Sequence, residues 1–212
     1  MGKFFQEKCL TSVTAASESA SNGQMLNTDT ENTILNQIRQ GNYSRATLLI
    51  DHHKEMVYQI CYRILLNQAD AEEAAQDSFL KAFEALDQFR GEAKFSTWLY
   101  RIAYNMALGK NRQNSRRSVW EWVTDQLPDR QQGPDAAEIM EQEDRKEQVH
   151  AAINQLPEEE RVIISLYYLE EMSTKEIAEV VNIKPNLVKV RLHRSRKKLE
   201  EKLSNRKSMF AL

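Results

Sequence analysis

His52 and His53 are adjacent, Glu72, Glu73 and Asp77 fall close together, and the two thiols, Cys9 and Cys61, lie far apart. Metal-assisted or nucleophilic chemistry would need these residue types. Their spacing does not serve it. On a helix, adjacent histidines project about 100° apart, and no Glu or Cys arrangement completes a metal site with them. The three acids could hold a divalent cation, but a solvated helix face carries the same residues. Cys9 belongs to a weakly patterned N-terminus and Cys61 to an apolar helix face, so neither a disulfide framework nor a metal knuckle is expected. The constellation with a definite chemistry is basic. Residues 182–204 hold Lys184, Lys189, Arg191, Arg194, Arg196, Lys197, Lys198 and Lys202 against only Glu200 and Glu201, with His193 among them. The 212-residue chain has a net charge of -2, yet a phosphate backbone responds to the local field.

Such a row of cations reads DNA only if a helix carries it and a second element braces that helix. Ser173 and Glu176 have the spacing of a capping box, and Ile177, Ala178, Val180 and Val181 follow it. Asn182-Ile183-Lys184 reads as a turn, with Pro185 at the first position of the next helix. Along that helix Val188, Leu192, Ser195 and Leu199 fall on one side and Lys189, Val190, His193, Arg194 and Lys197 on the other. Helix, short turn and basic helix is the helix-turn-helix pattern. Upstream, Ile153 and Leu156 are separated by Pro157 from Val162, Ile163, Leu166 and Tyr167, which predicts a turn and a helix restart. A helical repeat could imitate two helices and a turn, but no self-similarity at a period of about 34 residues is present.

The N-terminal half reads as a second helical unit. Ile34, Ile38, Val57, Ile60, Cys61, Ile64 and Leu65 recur at helical spacing around a break at Gly41-Asn42, which predicts a helical hairpin. Asp70 with Glu73 is expected to cap a third helix, whose stripe is Ala75, Phe79, Ala82, Phe83 and Leu86. Its other face is acidic, with Asp70, Glu72, Glu73, Asp77, Glu84 and Asp87 against Lys81. After a loop, Ser96 is expected to cap a fourth helix, with Phe95 and Tyr100 as its hydrophobic staple and Trp98, Leu99, Ile102 and Met106 facing inward. From Arg101 through Arg117 there are bases and no acid, beside the rings of Trp98, Tyr100 and Tyr104. Rings among cations suit single-stranded nucleic acid; a solvated basic face over core aromatics is the plainer structural alternative.

The expected fold is all-α: two small helical domains joined by a flexible linker, the second a helix-turn-helix. With 41% hydrophobic residues, 6 Gly and 4 Pro, most of the chain should fold, and as helices. Periodicity is lost from Gln113, and Gly133-Pro134 sits within the expected linker, where Val119, Trp120, Trp122 and Val123 would still favour a short ordered piece. An acidic stretch from Asp135 to Glu147 follows. The expected boundaries are a disordered leader at 1–29, a first domain at 30–112, a linker at 113–140, a second domain at 141–204 and a tail at 205–212. No run of about 18 apolar residues is present, so membrane insertion is not expected and the cytoplasm is the natural compartment.

Two blocks carry a resemblance. DAEEAAQDSFLKAFEALDQFRGEAKFSTWLYRIAYNMA at Asp70 to Ala107 and LPEEERVIISLYYLEEMSTKEIAEVVNIKPNLVKVRLHRSRKKL at Leu156 to Leu199 resemble a bacterial RNA polymerase sigma factor, sigma-70 family, extracytoplasmic-function type. The resemblance spans about residues 30 to 204. It implies a factor that binds core RNA polymerase and directs initiation at promoter DNA, recognising -35 and -10 elements and assisting melting, with no cofactor and no catalysis of its own. Asp70, Glu73, Gln76, Asp77 and Lys81 then resemble the face that docks on the clamp helices of the largest bacterial polymerase subunit, with Phe79 and Phe83 beside the polar groups. Phe89, Arg90, Arg101, Tyr104, Asn105 and Lys110 resemble the part that recognises the melted -10 element, while Phe95 and Trp98 belong to the core. Lys189, Val190, His193 and Arg194 resemble the groove-entering positions of -35 recognition, with Ser173, Thr174, Arg191, Arg196 and Lys197 placed for phosphate. The chain departs from the family pattern where Leu187 and Val190 replace small hydroxyl residues and Pro185-Asn186 replace a frequent Glu-Gly. Val190 would meet a thymine methyl or a sugar instead of donating a hydrogen bond.

The resemblance also implies an inhibitory anti-sigma partner. Two rival readings are a stand-alone helix-turn-helix regulator that binds a palindrome as a dimer, and a helical adaptor with no DNA role.

Overall fold

In a computed structural model, described for residues 28–121 and 149–209, every regular element is a helix. The expected leader, the Gly133-Pro134 stretch and the Trp122-Val123 pair lie outside the described residues. The elements are α1 (Thr28–Arg39), α2 (Ala46–Leu65), α3 (Gln68–Glu84), a 3-10 turn (Leu86–Gln88), α4 (Phe95–Glu121), α5 (Glu158–Tyr168), α6 (Thr174–Val181) and α7 (Pro185–Met209). Residues 149–154 add a further helical stretch before α5. Helices α1 to α4 form the first domain and α5 to α7 the second.

The α1–α2 hairpin turns at Gly41, whose φ of 82° lies where a side chain is strained. Asn67, not Asp70, caps α3: its extended backbone precedes the helix and its side chain accepts from the Asp70 amide at 3.0 Å. The expected Asp70–Glu73 cap is therefore corrected. Asp70 sits one turn inside, where a carboxylate favours the helix dipole and is free to pair elsewhere. Helix α4 likewise begins at Phe95, placing Ser96 in the first turn. The expected staple residues are both buried and meet through the ring of His53, at 5.6 Å from Phe95 and 6.1 Å from Tyr100. Helix α4 then runs on to Glu121, into the segment expected to be linker. An apolar stripe is not needed to continue a helix, and residues 111–121 contain neither Gly nor Pro to stop it.

The first core gathers Ile34, Leu49, Ile60, Phe79 and Leu99 between α1, α2, α3 and α4. His53 is buried, hydrogen-bonded to Glu31 at 2.9 Å and 3.5 Å from the Tyr100 hydroxyl, which ties α1, α2 and α4 together. Cys61 is fully buried, and burial pushes its thiol up to about 12. With Cys9 replaced by Ser, Ellman's reagent should therefore report no reactive thiol at pH 8 until denaturant is added; immediate reaction would contradict this packing.

In the second domain Pro157 precedes α5 in extended backbone and α6 opens on the Ser173–Glu176 capping box. Helix α6 ends at Asn182, in the left-handed region at φ 54°, and Pro185 starts α7. The apolar side of α7 packs as its spacing predicts: Val188 and Leu192 are buried, and Ser195 is buried with its hydroxyl donating to the Arg191 carbonyl at 2.8 Å. The two domains touch: α6 lies against α4 and α5 against α2.

Candidate functional site

The acidic side of α3 faces outward. Asp77 and Lys81 are exposed, Gln76 is half-buried, and Lys81 reaches Glu84 at 3.5 Å. Asp70 and Glu73 are not free: Lys110 of α4 lies 3.3 Å from Asp70 and 2.6 Å from Glu73, and Asn114 donates to Asp70 at 2.8 Å. Burial opposes the charge on Lys110, but the hydrogen bonds to Glu73 and Asp70 prevail and raise its pKa. A cleft of about 430 Å³ opens there, lined by Glu73, Asp77, Asn105, Lys110, Gln113 and Asn114. Residues assigned to two different partners thus share one site. The two rings expected beside these polar groups are both buried. Phe79 is 1% exposed and stacks with buried Phe83 at 6.4 Å inside the domain, because a two-residue shift along a helix moves a side chain from the wet face to the core.

The loop after α3 and the surface of α4 carry the second set. Arg90, Arg101 and Asn105 are exposed. Phe89 is not an exposed stacking ring: at 8% exposure it packs on Trp98 at 5.3 Å and Phe95 at 5.7 Å. Three aromatic rings close the base of the loop, and an apolar cluster of this kind outweighs exposure of one ring. Tyr104 is 5% exposed; burial raises its pKa, with Glu158 and Arg191 of the second domain among the charges acting on it. Arg39, which sequence reasoning passed over, donates to the Phe89 carbonyl at 2.6 Å and anchors this loop to α1. A lone base at a helix C-terminus gives no sign of a partner 50 residues away.

The third set lies on α7. Lys189, Val190, His193, Arg194, Arg196 and Lys197 are all exposed, and Val190, at 44%, stands among the cations as an apolar spot. Arg196 lies 5.9 Å from the Tyr167 ring. Arg191 pairs with Glu159 of α5 and is only half-exposed. Thr174 is half-buried, and the Ser173 hydroxyl accepts the Glu176 amide at 3.3 Å as a helix cap. Capping occupies the Ser173 oxygen but leaves its proton free to donate. Behind α7, Val149, Ile153, Ile164, Tyr168, Leu169 and Leu199 line an apolar groove of about 460 Å³.

Lys94 and Glu176 join the two domains at 2.8 Å, and the pairing with Lys94 holds the Glu176 carboxyl down at about 2. A carboxyl depressed in the folded state stabilises above its unfolded value near 4.5, and the contribution is lost as pH falls through about 2. Glu176→Gln should therefore flatten the acid limb of a pH-dependent unfolding curve below about pH 4.5, with urea titration as the readout; an unchanged limb would show that the pair contributes nothing.

A braced helix with an outward basic face, joined to a separate helical domain with an acidic face, defines a DNA-binding protein built for a second protein partner. The comparisons make this specific. Residues 49–117 match the family model for sigma-70 region 2, and residues 146–199 that for sigma-70 region 4. The chain is 32% identical to the ECF RNA polymerase sigma factor SigW of Bacillus subtilis, over 80% of this chain and 94% of that protein. It is 29% identical to the RNA polymerase sigma-H factor of Pseudomonas aeruginosa, over 84% and 96%. Its fold resembles that of CnrH in complex with the cytosolic domain of CnrY, with a TM-score of 0.58 at 22% identity over 82% of this chain and 96% of that one. The sigma factor RpoE of Bartonella quintana, solved with the anti-sigma factor NepR, gives 0.58 at 19% identity over 84% and 98%. The chain belongs to the sigma-70 family of RNA polymerase sigma factors, in its ECF group. It directs RNA polymerase to promoters and is not an enzyme.

Proposed function

We propose that the α3 face around Gln76, Asp77 and Lys81, with Asp70 and Glu73, docks on the clamp helices of core RNA polymerase. The α3–α4 loop and α4, through Arg90, Arg101, Tyr104, Asn105 and Lys110, address the -10 strand as it melts. Helix α7 enters the -35 major groove with Lys189, Val190, His193 and Arg194, while Ser173, Thr174, Arg191, Arg196 and Lys197 hold phosphate. Phe89 supports the loop from beneath and does not stack on a base. The observation that carries this reading is the exposed row on α7, set by a capped helix and a three-residue turn in the order a groove-reading helix requires.

Sigma factors of the ECF group generally bind core polymerase and anti-sigma factors. We extend the second partner to this chain, because an acidic face and two linked domains offer an inhibitor a composite surface. The working compartment in this reading is the cytoplasm, where RNA polymerase acts; among the described residues no helix is long and apolar enough to cross a membrane.

Footprinting separates this reading from a dimeric regulator. Together with core polymerase the chain should protect two unlike elements in a one-to-one complex. Protection of a palindrome by the chain alone, as a dimer, would contradict it.

A further inference from the structure

The centre of the outward face of α7 is apolar. Val190 lies two residues from each of buried Val188 and Leu192, about 200° around the helix, and so points away from the core. Asn186 and Leu187 stand one turn before it and His193 and Arg194 one turn after, all four exposed. Leu187 is 41% exposed and Val190 44%, neighbours on the same side of the helix. Two ion pairs to α5, Arg191 with Glu159 and Lys198 with Glu160 at 2.7 Å, fix the rotation of α7 and hence which side faces out.

Single exposed hydrophobic residues are ordinary. This pair is not scattered: it lies among exposed Lys189, His193, Arg194 and Lys197, in the first two turns of α7, the part of a groove-reading helix that meets base edges. The cations draw in the phosphate backbone, but neither apolar side chain can answer a polar base edge. Thymine alone among the four bases carries a methyl group into the major groove. A cytosine amino group pressed against Leu187 or Val190 would lose its water and gain no acceptor. Attraction to the methyl and exclusion of the unpaired donor therefore select the same base.

We propose that Leu187 and Val190 form a reader for 5-methylpyrimidines, which sets the -35 specificity of this chain by taking the methyl groups of two thymines on one strand. The proposal rests on the reading of α7 as the groove-entering helix and adds to it Leu187 and the chemical class of the ligand. Side chains three residues apart on a helix lie about 5–6 Å from each other. Bases on one strand rise by about 3.4 Å per step, so the two thymines fall within two steps of one another. Uracil differs from thymine only in lacking the methyl, and the reader rejects it. A 5-methylcytosine supplies the methyl but keeps its amino donor, so it ranks between thymine and cytosine.

The test uses the full chain bound to core polymerase and a promoter fragment recovered by transcript-start mapping. The thymines of its -35 element are replaced one at a time by deoxyuridine, which keeps the pairing and loses only the methyl. Two thymines on one strand should each show a loss of about fourfold in competition binding, the worth of one buried methyl group, and replacing both should cost about fifteenfold. Val190→Ser should weaken binding to the unmodified fragment by a similar factor and erase the penalty at one thymine. Leu187→Ser should do the same at the other, and Val190→Ile should retain both penalties. With cytosine in place of either thymine, C5-methylation of that cytosine should recover about fourfold. No penalty at any -35 thymine, or penalties unchanged in both serine variants, would overturn the methyl reader while leaving α7 as the groove helix. Binding indifferent to scrambling of the whole -35 element would instead refute the reading of α7, and the methyl reader with it.

Discussion

Arg194→Ala should lower promoter-specific initiation by about tenfold to a hundredfold while leaving affinity for core polymerase unchanged. The side chain is exposed on α7, two residues beyond buried Leu192, and makes no ion pair among the described residues. Its truncation therefore breaks no ion pair among the described residues. A bidentate contact from arginine to a base edge discriminates by about 1–3 kcal/mol, which sets the range. The effect should be confined to promoters matching one base position, whereas truncating a phosphate-holding lysine such as Lys197 should weaken all sequences evenly and reduce the salt dependence. In vitro transcription on matched and mismatched -35 templates, with core affinity measured in parallel, distinguishes them. Equal loss of both activities would end the division of labour between the domains.

Asp77→Arg should do the reverse. It is expected to weaken binding to core polymerase by about 30-fold or more, and initiation at every promoter would fall with it. Asp77 is exposed on the proposed docking side of α3 and lines the cleft where Lys110 already pairs with Asp70 and Glu73. It is thus the carboxylate of the set least engaged within the molecule. Reversing a charge across a complementary interface substitutes repulsion for attraction, and disrupting a close charge pair costs about 2–5 kcal/mol. An exposed substitution of this kind changes folding stability by only about 0.5 kcal/mol, so urea unfolding should be nearly unmoved. Unaltered binding at moderate salt would place the docking surface elsewhere.

Much of this was legible from spacing. The capping box at Ser173, the turn at Asn182 and Pro185, and the sidedness of α7 are local matters, decided within one or two helical turns, and local chemistry predicts them. What escaped depends on distant parts of the chain. Arg161 follows three glutamates, which hides any distant role in the sequence, yet its side chain caps a helix 98 residues earlier. Phe89 follows an acidic helix and reads as a loop aromatic, but Phe95 and Trp98 fold back to cover it. Lys110 reads as a free cation for a nucleic-acid strand until Asp70 and Glu73 are seen opposite. The start of α3 was misplaced for a local reason: Asn67 and Asp70 are both good caps, and the extended backbone at Asn67 decided between them.

The central claim is that the two domains act together, the first on polymerase and the -10 element and the second on the -35 element. Its most direct test is reconstitution of the purified chain with bacterial core RNA polymerase on fragmented DNA from the source genome, with transcript starts mapped. The account predicts discrete starts preceded by two shared, unlike upstream elements. No binding to core and no starts, with the same polymerase active on another sigma factor, would contradict it.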